Sequence, residues 1–533
     1  MKTPYILYAN SFGGICLDTI YSYHTFILPF VWKDESNKAK SIGDFTAFFE
    51  RNAYWTCYDP KDENEFGTFD DPLSYYNEYQ YFYPQVRSAL YGFDESIVKT
   101  YQFAHSAVHN KAHYYIEKKA IDKTYDLLIN SIQLKIYNTG IALFVMECEN
   151  HGTDKYGNPQ NTFADVKNIN DYGRRITLPF IPGKPDWSIC ADSLEVYVPE
   201  LKQRFRTDFR SFIDKISESK QKCADISLNH LSDFIKGILG FSSEHRFSSR
   251  IRGADGIIYI HPALDDRMFA ASLVIDKKET DELLGTEKDK GEYKYEKDNA
   301  LSKSLYEFVF MDNDGNCTCQ CKKMRNDLLE KHIYKRWLEY GTIYGISAQS
   351  LVMLFNGDAM HLVATFLTIY VRMACLCLAQ RASLMLFQKE TADISRLIHE
   401  KEGKIQIGTV TKLMDLQERF SAFESQICFT EITPQEQGIE MYAMFTESFL
   451  IYKELDNVKS QIEGLHDATD TYLDFGFNKI ALIFTLIGAI FGLASLITST
   501  KIPNEWALPL GSIAVSIAVC IIISFLYRRR YRK

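Results

Sequence analysis

Two apolar runs, Ile480–Ile497 (IALIFTLIGAIFGLASLI) and Ala507–Tyr527 (ALPLGSIAVSIAVCIIISFLY), close the chain, joined by Lys501-Ile-Pro-Asn-Glu-Trp506. Each has about the ~20 residues that a helix needs to cross ~30 Å of hydrocarbon, and neither carries a charged side chain. Both are expected to span a membrane. The link is too short for anything but a tight turn, so the spans are expected to be antiparallel neighbours. The tail Arg528, Arg529, Arg530, Arg532, Lys533 carries the densest positive charge near either run, and positive charge stays on the cytoplasmic side. That predicts a multi-pass membrane protein with both termini cytoplasmic and a very large head on the same side.

Composition agrees with a cytosolic head. With 60 Lys+Arg against 69 Asp+Glu the chain is mildly acidic, which argues against binding a nucleic-acid polymer through bulk charge. The opening MKTPYILYANSFGG has no apolar h-region, so no secretory signal is expected. The 12 cysteines are scattered, without the paired spacing of a disulfide framework. Cys317-Thr-Cys319-Gln-Cys321 is their one cluster. In an extended segment its thiols share a face, whereas a metal site needs a fourth ligand at loop spacing, and a strand is the simpler reading. Aromatics make up 14% of the chain, with 33 Tyr and 36 Phe, enough for a large core and for Tyr-lined pockets.

The expected fold is an α+β cytosolic head followed by a long helical stalk and two C-terminal transmembrane helices. Its parts are a cytosolic mixed α/β domain (1–345), a helical domain with the stalk helix (346–476), the hairpin (477–527) and the basic tail (528–533). Asp126 to Glu149 reads as a β-hairpin, with LLINSIQLKIY and IALFVMECE flanking Asn138-Thr-Gly140. A second hairpin is expected around Asp312-Asn-Asp-Gly315, between LYEFVF and NCTCQC; the DNDG resembles a calcium loop but lacks the later ligands. GIIYI (256–260) and FAASLVI (269–275) are expected to pair as strands. The charged stretch Asp276 to Asn299 is expected to be a mobile surface excursion.

Beyond Ser347 the apolar spacing turns helical. Met360 to Phe387 is apolar enough for a third span, but His361, Arg372, Gln380 and Arg381 interrupt it, and a mid-bilayer arginine costs ~2.5–3.5 kcal/mol. A buried helix of the head is expected there. Thr433-Pro434-Gln435-Glu436 reads as a helix start with a capping box. Apolar residues then recur at steps of three and four, and no proline intervenes before Pro503. One continuous helix from Pro434 through the first apolar run is therefore expected, about 100 Å long at ~1.5 Å per residue. It would be a lever, with joints only at Gly464 and Gly476.

The first run carries a second pattern. Asn478, Ala481, Thr485, Gly488, Gly492, Ser495 and Ser499 fall at steps of 3, 4, 3, 4, 3, 4, so one face is small or polar. Gly488-xxx-Gly492 alone also fits helix packing, while an unbroken seam flanked by bulky residues suits a pore-lining helix in a ring. Phe484, beside the seam, is the bulky constriction available. The implied pore is wide and poorly selective.

A long helix entering the first of two C-terminal spans, with a basic tail, resembles the CorA family of divalent-cation channels. Asn478 at the membrane entrance, Thr485, Phe491, Trp506 and Pro509 are of the residue types the family has there. Where the family has Gly-Met-Asn at the outer mouth, this chain has Ile502-Pro503-Asn504: Asn504 is retained, the Gly-Met is not, and magnesium selectivity does not carry over. The resemblance covers roughly residues 434–533. It implies a homo-oligomer, a pentamer by the family's habit. The oversized head resembles the CorA-like membrane effectors of type III CRISPR systems, through Tyr81-Phe-Tyr-Pro-Gln-Val-Arg87, Tyr137-Asn-Thr-Gly-Ile141, Ile169-Asn170-Asp-Tyr-Gly-Arg174-Arg175 and Tyr344-Gly-Ile-Ser347. What this implies is antiviral signalling, in which a nucleotide second messenger, the S-adenosylmethionine–AMP conjugate, binds the head and opens or disrupts the membrane.

Such a ligand needs guanidinium or backbone donors for its phosphate, aromatic faces for its bases, and a carboxylate or aromatic cage for its sulfonium. Candidate residues are Arg87, Asn170, Arg174, Arg175, Arg250, Arg252, Trp337, Tyr340 and Tyr344, each arginine being equally suited to a salt bridge. Asp265-Asp266-Arg267 reads as a self-satisfied loop. No enzyme is expected, since no phosphate loop, nucleophile elbow or His-Glu-x-x-His appears. His105, His109 and His113 repeat at i, i+4, i+8 and read as one face of an amphipathic helix, with no metal and no cofactor expected beyond a possible divalent cation. Two other classes stay open: a divalent-cation channel lacking the Gly-Met-Asn signature, and a scaffold whose hairpin is only an anchor.

Overall fold

Strand β1 (Ser22–Asp34, SYHTFILPFVWKD) is apolar with little alternation, as in a strand covered on both faces. Phe26, Ile27, Leu28, Phe30 and Trp32 are all fully buried. The structure is a computed structural model that describes residues 20–34, 53–58, 79–92, 97–177, 189–210, 232–240, 250–253, 256–285, 293–399 and 407–499. Within it, β1 pairs along one edge with β6 (Ile141–Asn150), from Ser22↔Asn150 to Val31↔Ile141. Its other edge is shared. β11 (Phe269–Ile275) takes Ser22 to Ile27, and β10 (Gly256–Pro262) takes Phe30 to Asp34. GIIYI and FAASLVI are thus strands as expected but do not pair with each other: β1, 13 residues long, has room for both.

The first expected hairpin is present, β5 (Lys123–Tyr137) pairing with β6 across a turn in which Gly140 has φ 93°, a value glycine adopts without a Cβ penalty. β5 is likewise shared on its outer edge. β4 (Ala112–Lys118) pairs with its first half and β3 (Val98–Phe103) with its second, on either side of a register shift between Ile129 and Ser131. A bulge there bends the strand between partners. Strands β2 (Trp55–Tyr58), β7 (Ser193–Val198), β8 (Gln203–Asp208), β9 (Arg250–Gly253), β12 (Ile333–Tyr334), β13 (Thr342–Ser347) and β14 (Ser350–Phe355) complete a mixed sheet that has 14 strands among the described residues. Its spine runs β12-β13-β14-β11-β1-β6-β5-β4-β7-β8.

Helices cover the sheet. On the face carrying His24 and Ser272 lie α1 (Phe163–Arg174), packed on β1, β4 and β11, and α2 (Asn299–Phe310), packed on β13 and β14. α1 starts in a capping box, Asp165 N–H donating to Thr162 Oγ1 at 3.1 Å and Thr162 N–H to Asp165 Oδ2 at 3.3 Å. α2 overturns the second expected hairpin, since LYEFVF is helical. Ser302, Leu305, Tyr306 and Val309 are buried at helical spacing, the stripe that a helix lays on a sheet, and Asp298 caps the start by accepting from Ala300 and Leu301. The Asp312–Gly315 turn exists, with Gly315 at φ 76°, but leads into irregular chain in which Cys317 and Cys319 are buried and Cys321 is exposed. Among the described residues no group of His, Cys, Asp and Glu is placed to hold a metal.

Other expectations also need correction. The stretch after Asp276 forms helices Lys277–Leu284 and Lys294–Lys297, which bury Leu283, Leu284 and Tyr295; residues 286–292 lie outside the described set. The three histidines do not share a helix, because the helical turn covers only His105–Val108 and His113 lies on β4, bonded to Asp126 at 2.7 Å. The apolar segment His361–Ile398 is helical, α3 (His361–Thr365) passing through a π-helical turn over Phe366–Tyr370 into α4 (Val371–His399). It is long and apolar enough to cross a membrane, yet 67% of its most apolar window is buried within the protein itself. Its polar residues are accommodated there, Gln380 donating to Ile427 O at 2.8 Å and Arg372 lying 5.1 Å from the Tyr91 ring.

By compactness the chain divides into two units, Met1–Glu390 with Leu416–Val458, and Thr391–Asp415 with Lys459–Lys533. The first holds the sheet and its helices. The second, among the described residues, consists of the end of α4, the start of α5 (Ile407–Gln426) and most of α7 (Ile451–Ser499), with Ile394, Ile398, Leu413 and Ile462 buried. α7 is preceded by α6 (Glu436–Ser448), so the expected single helix is two. Phe449 is buried and Leu450 adopts φ 55°, a left-handed conformation that no α-helix continues through. The expected capping box is also replaced: Gln435 N–H, not that of Glu436, donates to Thr433 Oγ1 at 3.2 Å. The 49-residue α7 runs about 73 Å at ~1.5 Å per residue and includes the whole first apolar run. Residues 500–533, with Asn504, the second run and the basic tail, lie outside the described set.

Candidate functional site

The C-terminal part of α1 carries two of the expected ligand residues, Asn170 and Arg174, and its C-cap is a third, Arg175; the structure gives them different surroundings. A buried polar chain leads to the first. Gln160 Nε2 donates to Asn150 Oδ1 at 2.9 Å, Asn150 Nδ2 to Ser22 Oγ at 3.1 Å, and Ser22 Oγ meets His24 Nε2 at 2.9 Å. His24 Nδ1 lies 2.8 Å from Asn170 Oδ1. Because Asn170 Oδ1 only accepts, Nδ1 carries the proton and Nε2 accepts from Ser22. Burial lowers the His24 pKa to about 4, against the support of Asn170, and the ring is neutral. The chain ends at Asn170 Nδ2, which is buried and has no hydrogen-bond partner. Ser272 Oγ, on the β11 residue opposite His24, is buried and unpartnered as well.

Arg174, one helical turn beyond Asn170 on the same face, is 2% exposed. Its Nε makes no hydrogen bond, its Nη2 reaches Met311 O only at 3.4 Å, and the nearest carboxylate oxygen, Asp171 Oδ1, is 3.7 Å away. Asp171 is occupied elsewhere, accepting from Arg175 Nε at 2.8 Å and from Asn313 Nδ2 at 2.9 Å. Burial accordingly draws the Arg174 pKa down to about 10, with Asp171 opposing the shift. A buried guanidinium with free donors and no close counter-ion is costly. It is the one strongly under-satisfied charge of this cluster.

Toward solvent the cluster continues through the Asp265-Asp266-Arg267 loop, held to the end of α1 by a β-bridge between Arg175 and Arg267. Arg267 donates twice to Asp265 Oδ2, at 3.0 and 2.7 Å, and Thr177 Oγ1 to Asp266 Oδ2 at 2.8 Å. The loop is self-satisfied, as its sequence suggests. Burial raises the Asp265 pKa but its hydrogen bonds to Asp266 and Arg267 prevail, and it falls to about 2; burial and Asp265 together raise that of Asp266. Exposure grades from Arg174 at 2% through Arg175 at 14% to Asp266 at 49% of the side chain, so a row of arginines leads inward to unpartnered donors. Gly173 permits this closeness, since a Cβ there would lie 2.8 Å from Ile116 Cδ1 and 2.9 Å from Phe26 Cζ.

The other expected ligand residues lie elsewhere. Arg87 donates to Phe82 O at 2.9 Å and covers the Tyr79 ring. Arg250 and Arg252 sit on β9, whose partner β10 meets β1 around Lys33, nine residues from His24 or roughly 30 Å at ~3.3 Å per residue; their side chains lie outside the described set. Tyr344 aligns across the sheet with Met353, Leu273 and Tyr23 and therefore faces away from His24 and Asn170. It packs on Tyr370 at 5.7 Å and Tyr334 at 6.4 Å. Trp337 and Tyr340 are 5.9 Å apart, with Tyr340 72% exposed. Sequence reading missed His24, Asp171, Ser272 and Asn313 and placed Arg267 in a self-satisfied loop; of the missed residues only Asp171, between Asn170 and the arginines, carried a local signal. A separate cleft of about 530 Å³ is lined by Tyr54, Phe103, Lys202, Arg204, Phe205 and Gly237 among others and contains none of the expected residues.

On α7 the expected pore-lining positions Asn478, Ala481, Phe484, Thr485, Gly488, Gly492, Ser495 and Ser499 are all helical. Ala481, Phe484, Thr485, Gly488 and Gly492 are exposed on the single chain, and Thr485 Oγ1 donates to Ala481 O at 2.7 Å; the side chains of Asn478, Ser495 and Ser499 lie outside the described set. Compared with family models, curated proteins and solved structures, the chain matches none.

Proposed function

We propose that this chain is a ligand-gated membrane effector of the CorA-like kind, acting in type III CRISPR antiviral defence at the bacterial cell membrane with both termini cytoplasmic. Its ligand is a nucleotide second messenger, the S-adenosylmethionine–AMP conjugate, bound in the head, and its output is an opened pore or a disrupted bilayer. The observation that carries the reading is the buried centre of Asn170 and Arg174, whose unpartnered donors suit a phosphate and the acceptor edges of a base. The Asp265–Asp266 carboxylates beside it suit a sulfonium. On the membrane side, Leu482 and Phe484 are 48% and 68% exposed on α7. Leaving such side chains in water forfeits roughly 1.5–3 kcal/mol each, which lipid or neighbouring copies of the helix would recover.

The test has two arms. Calorimetric titration of the full-length protein in detergent with the conjugate is expected to give saturable binding that is lost in Arg174→Ala. Vesicles containing the protein are expected to release a trapped dye only when the conjugate is added. Binding without release would support a sensor with a membrane anchor; release without ligand, or magnesium-selective flux, would support the channel reading instead.

A further inference from the structure

The polar centre is joined by direct packing to the break between α6 and α7. Arg174 O accepts Met268 N–H at 2.8 Å, which fixes the start of β11. The next residue, Phe269, points to the opposite face of the sheet and meets Phe449 edge-on, ring centroids 6.0 Å apart. Phe449 also touches Phe445 at 6.1 Å and lies under the Arg381 guanidinium at 5.4 Å. Burial lowers the Arg381 pKa, opposed by the carboxylates of Asp265, in the loop beside Arg174, and of Glu454, in the first turn of α7.

What these contacts hold in place is a strained residue. Leu450 is left-handed at φ 55° without being a glycine, and is itself 49% exposed, so its own side chain does not repay the strain; the burial of Phe449 does. The helical bonding is interrupted accordingly: Leu450 N–H bonds Glu447 O at 3.1 Å, three residues back, and Glu454 N–H bonds Leu450 O at 3.0 Å. Ile451, Tyr452 and Lys453 are first-turn amides, which have no partner within their own helix.

We propose that Phe449–Leu450 is a hinge governed by the arginine centre, resting on the ligand-gated reading above. In the structure Phe269 and Arg381 seat Phe449, and α6 and α7 are separate helices. A phosphate-bearing ligand that engages Arg174 and draws Arg267 from Asp265 shifts the Arg174–Met268 junction from which Phe269 is seated against Phe449. Phe449 loses its seat, Leu450 relaxes to right-handed backbone, and α6 and α7 become one helix. Coupling of this kind is reciprocal, so the hinge also sets ligand affinity.

Hydrogen–deuterium exchange of the full-length protein reads the hinge directly at the Ile451–Lys453 amides, fast when the helices are separate and slow when they merge. Leu450→Gly, which relieves the left-handed strain, is expected to keep exchange fast and to raise the conjugate concentration for half-maximal vesicle release about fivefold. Leu450→Ile, whose β-branch disfavours that backbone, is expected to slow exchange and lower that concentration. Arg381→Gln is expected to slow exchange with no ligand present. Conjugate binding with unchanged exchange at 451–453, or opposite Leu450 variants that behave alike, overturns the hinge while leaving the ligand site standing. If the conjugate fails to bind at all, the ligand reading falls, and the ligand-free exchange of Leu450→Ile and Arg381→Gln still decides the hinge: unchanged rates in both dismiss it.

Discussion

Replacing Arg174 by methionine separates a ligand site from a structural salt bridge. Breaking a buried, well-paired ion pair costs about 3–5 kcal/mol, because the abandoned partner stays buried and charged. Arg174 has no such partner to abandon. Its closest carboxylate, Asp171, keeps Arg175 at 2.8 Å and Asn313 at 2.9 Å when Arg174 is removed, and the long contact to Met311 O at 3.4 Å contributes little. Methionine roughly fills the volume without the desolvation cost, so Arg174→Met is expected to change stability by less than about 1 kcal/mol or to raise it. Arg325 is the internal control. It is equally buried, but its donors reach Ser302 Oγ at 2.9 Å, Cys319 O at 2.8 Å and Asn299 Oδ1. At about 1.5–3 kcal/mol for a hydrogen bond to a charged group, Arg325→Met is expected to cost about 3 kcal/mol or more. Thermal melts of both variants, with calorimetric titration of the conjugate, decide the matter. A drop for Arg174→Met as large as that for Arg325→Met, with ligand affinity intact, would refute the assignment of Arg174 to a binding site.

Three further outcomes follow from the same geometry. His24 is neutral in the fold with its pKa lowered to about 4 from 6.5, so the unfolded chain binds the extra proton between those values; stability is complete above pH 6.5 and declines by about 3 kcal/mol toward pH 4, and His24→Gln is expected to flatten the pH dependence of the melting midpoint. Gly173→Ala gains up to ~1 kcal/mol of helix propensity but places a Cβ 2.8 Å from Ile116 and 2.9 Å from Phe26; overpacking at about 1–3 kcal/mol wins, and titration is expected to show weakened ligand binding because α1 is pushed off its seat. If the seam of α7 lines the permeation path, Ala481→Met and Gly492→Met narrow and dewet it, and correctly assembled variants are expected to bind ligand normally while releasing far less dye from vesicles; full release in both would exclude the seam as the route.

Local patterns were legible where the chain itself enforces them. The β5–β6 hairpin was readable because two long apolar runs flank a glycine turn, and the buried helix over Met360 to Phe387 because His361, Arg372, Gln380 and Arg381 break its apolarity. What failed were features set by distant partners. LYEFVF has the composition of a strand, and only the sheet beneath α2 selects its helical stripe. GIIYI and FAASLVI were recognised as strands, but their partner β1 lies more than 200 residues away in sequence. At the site, Asn170, Arg174 and Arg175 could be nominated from one stretch. That Asn170 and Arg174 retain free donors while Arg175 is paired depends on Asn313, His24 and the Asp265 loop, which only the fold brings there. The break at Leu450 left no mark in the sequence either, since leucine favours helix and the cause is the seat of Phe449 under Arg381.

The strength of the contacts that dock α6 on the head bears on whether a small ligand can act through it. Arg336 pairs with Glu440 and reaches Glu436 at 3.6 Å, and Lys331 pairs with Glu447 at 2.9 Å, all on side chains at least about one-third exposed. Solvent screens such pairs, and they hold α6 only weakly. Tyr334 donates to Glu440 from a buried position and adds a charge-assisted bond of about 1.5–3 kcal/mol. Moving a two-state equilibrium from about 1:99 to 99:1 takes roughly 5.5 kcal/mol of differential binding. Two or three charge-assisted hydrogen bonds made by Arg174 and Asn170 in one state only supply that amount. The same centre would supply almost nothing if Arg174 were already paired, because a ligand would then exchange one partner for another. On the proposed reading, the unsatisfied guanidinium of Arg174 is what would give a bound ligand leverage over the helices that follow.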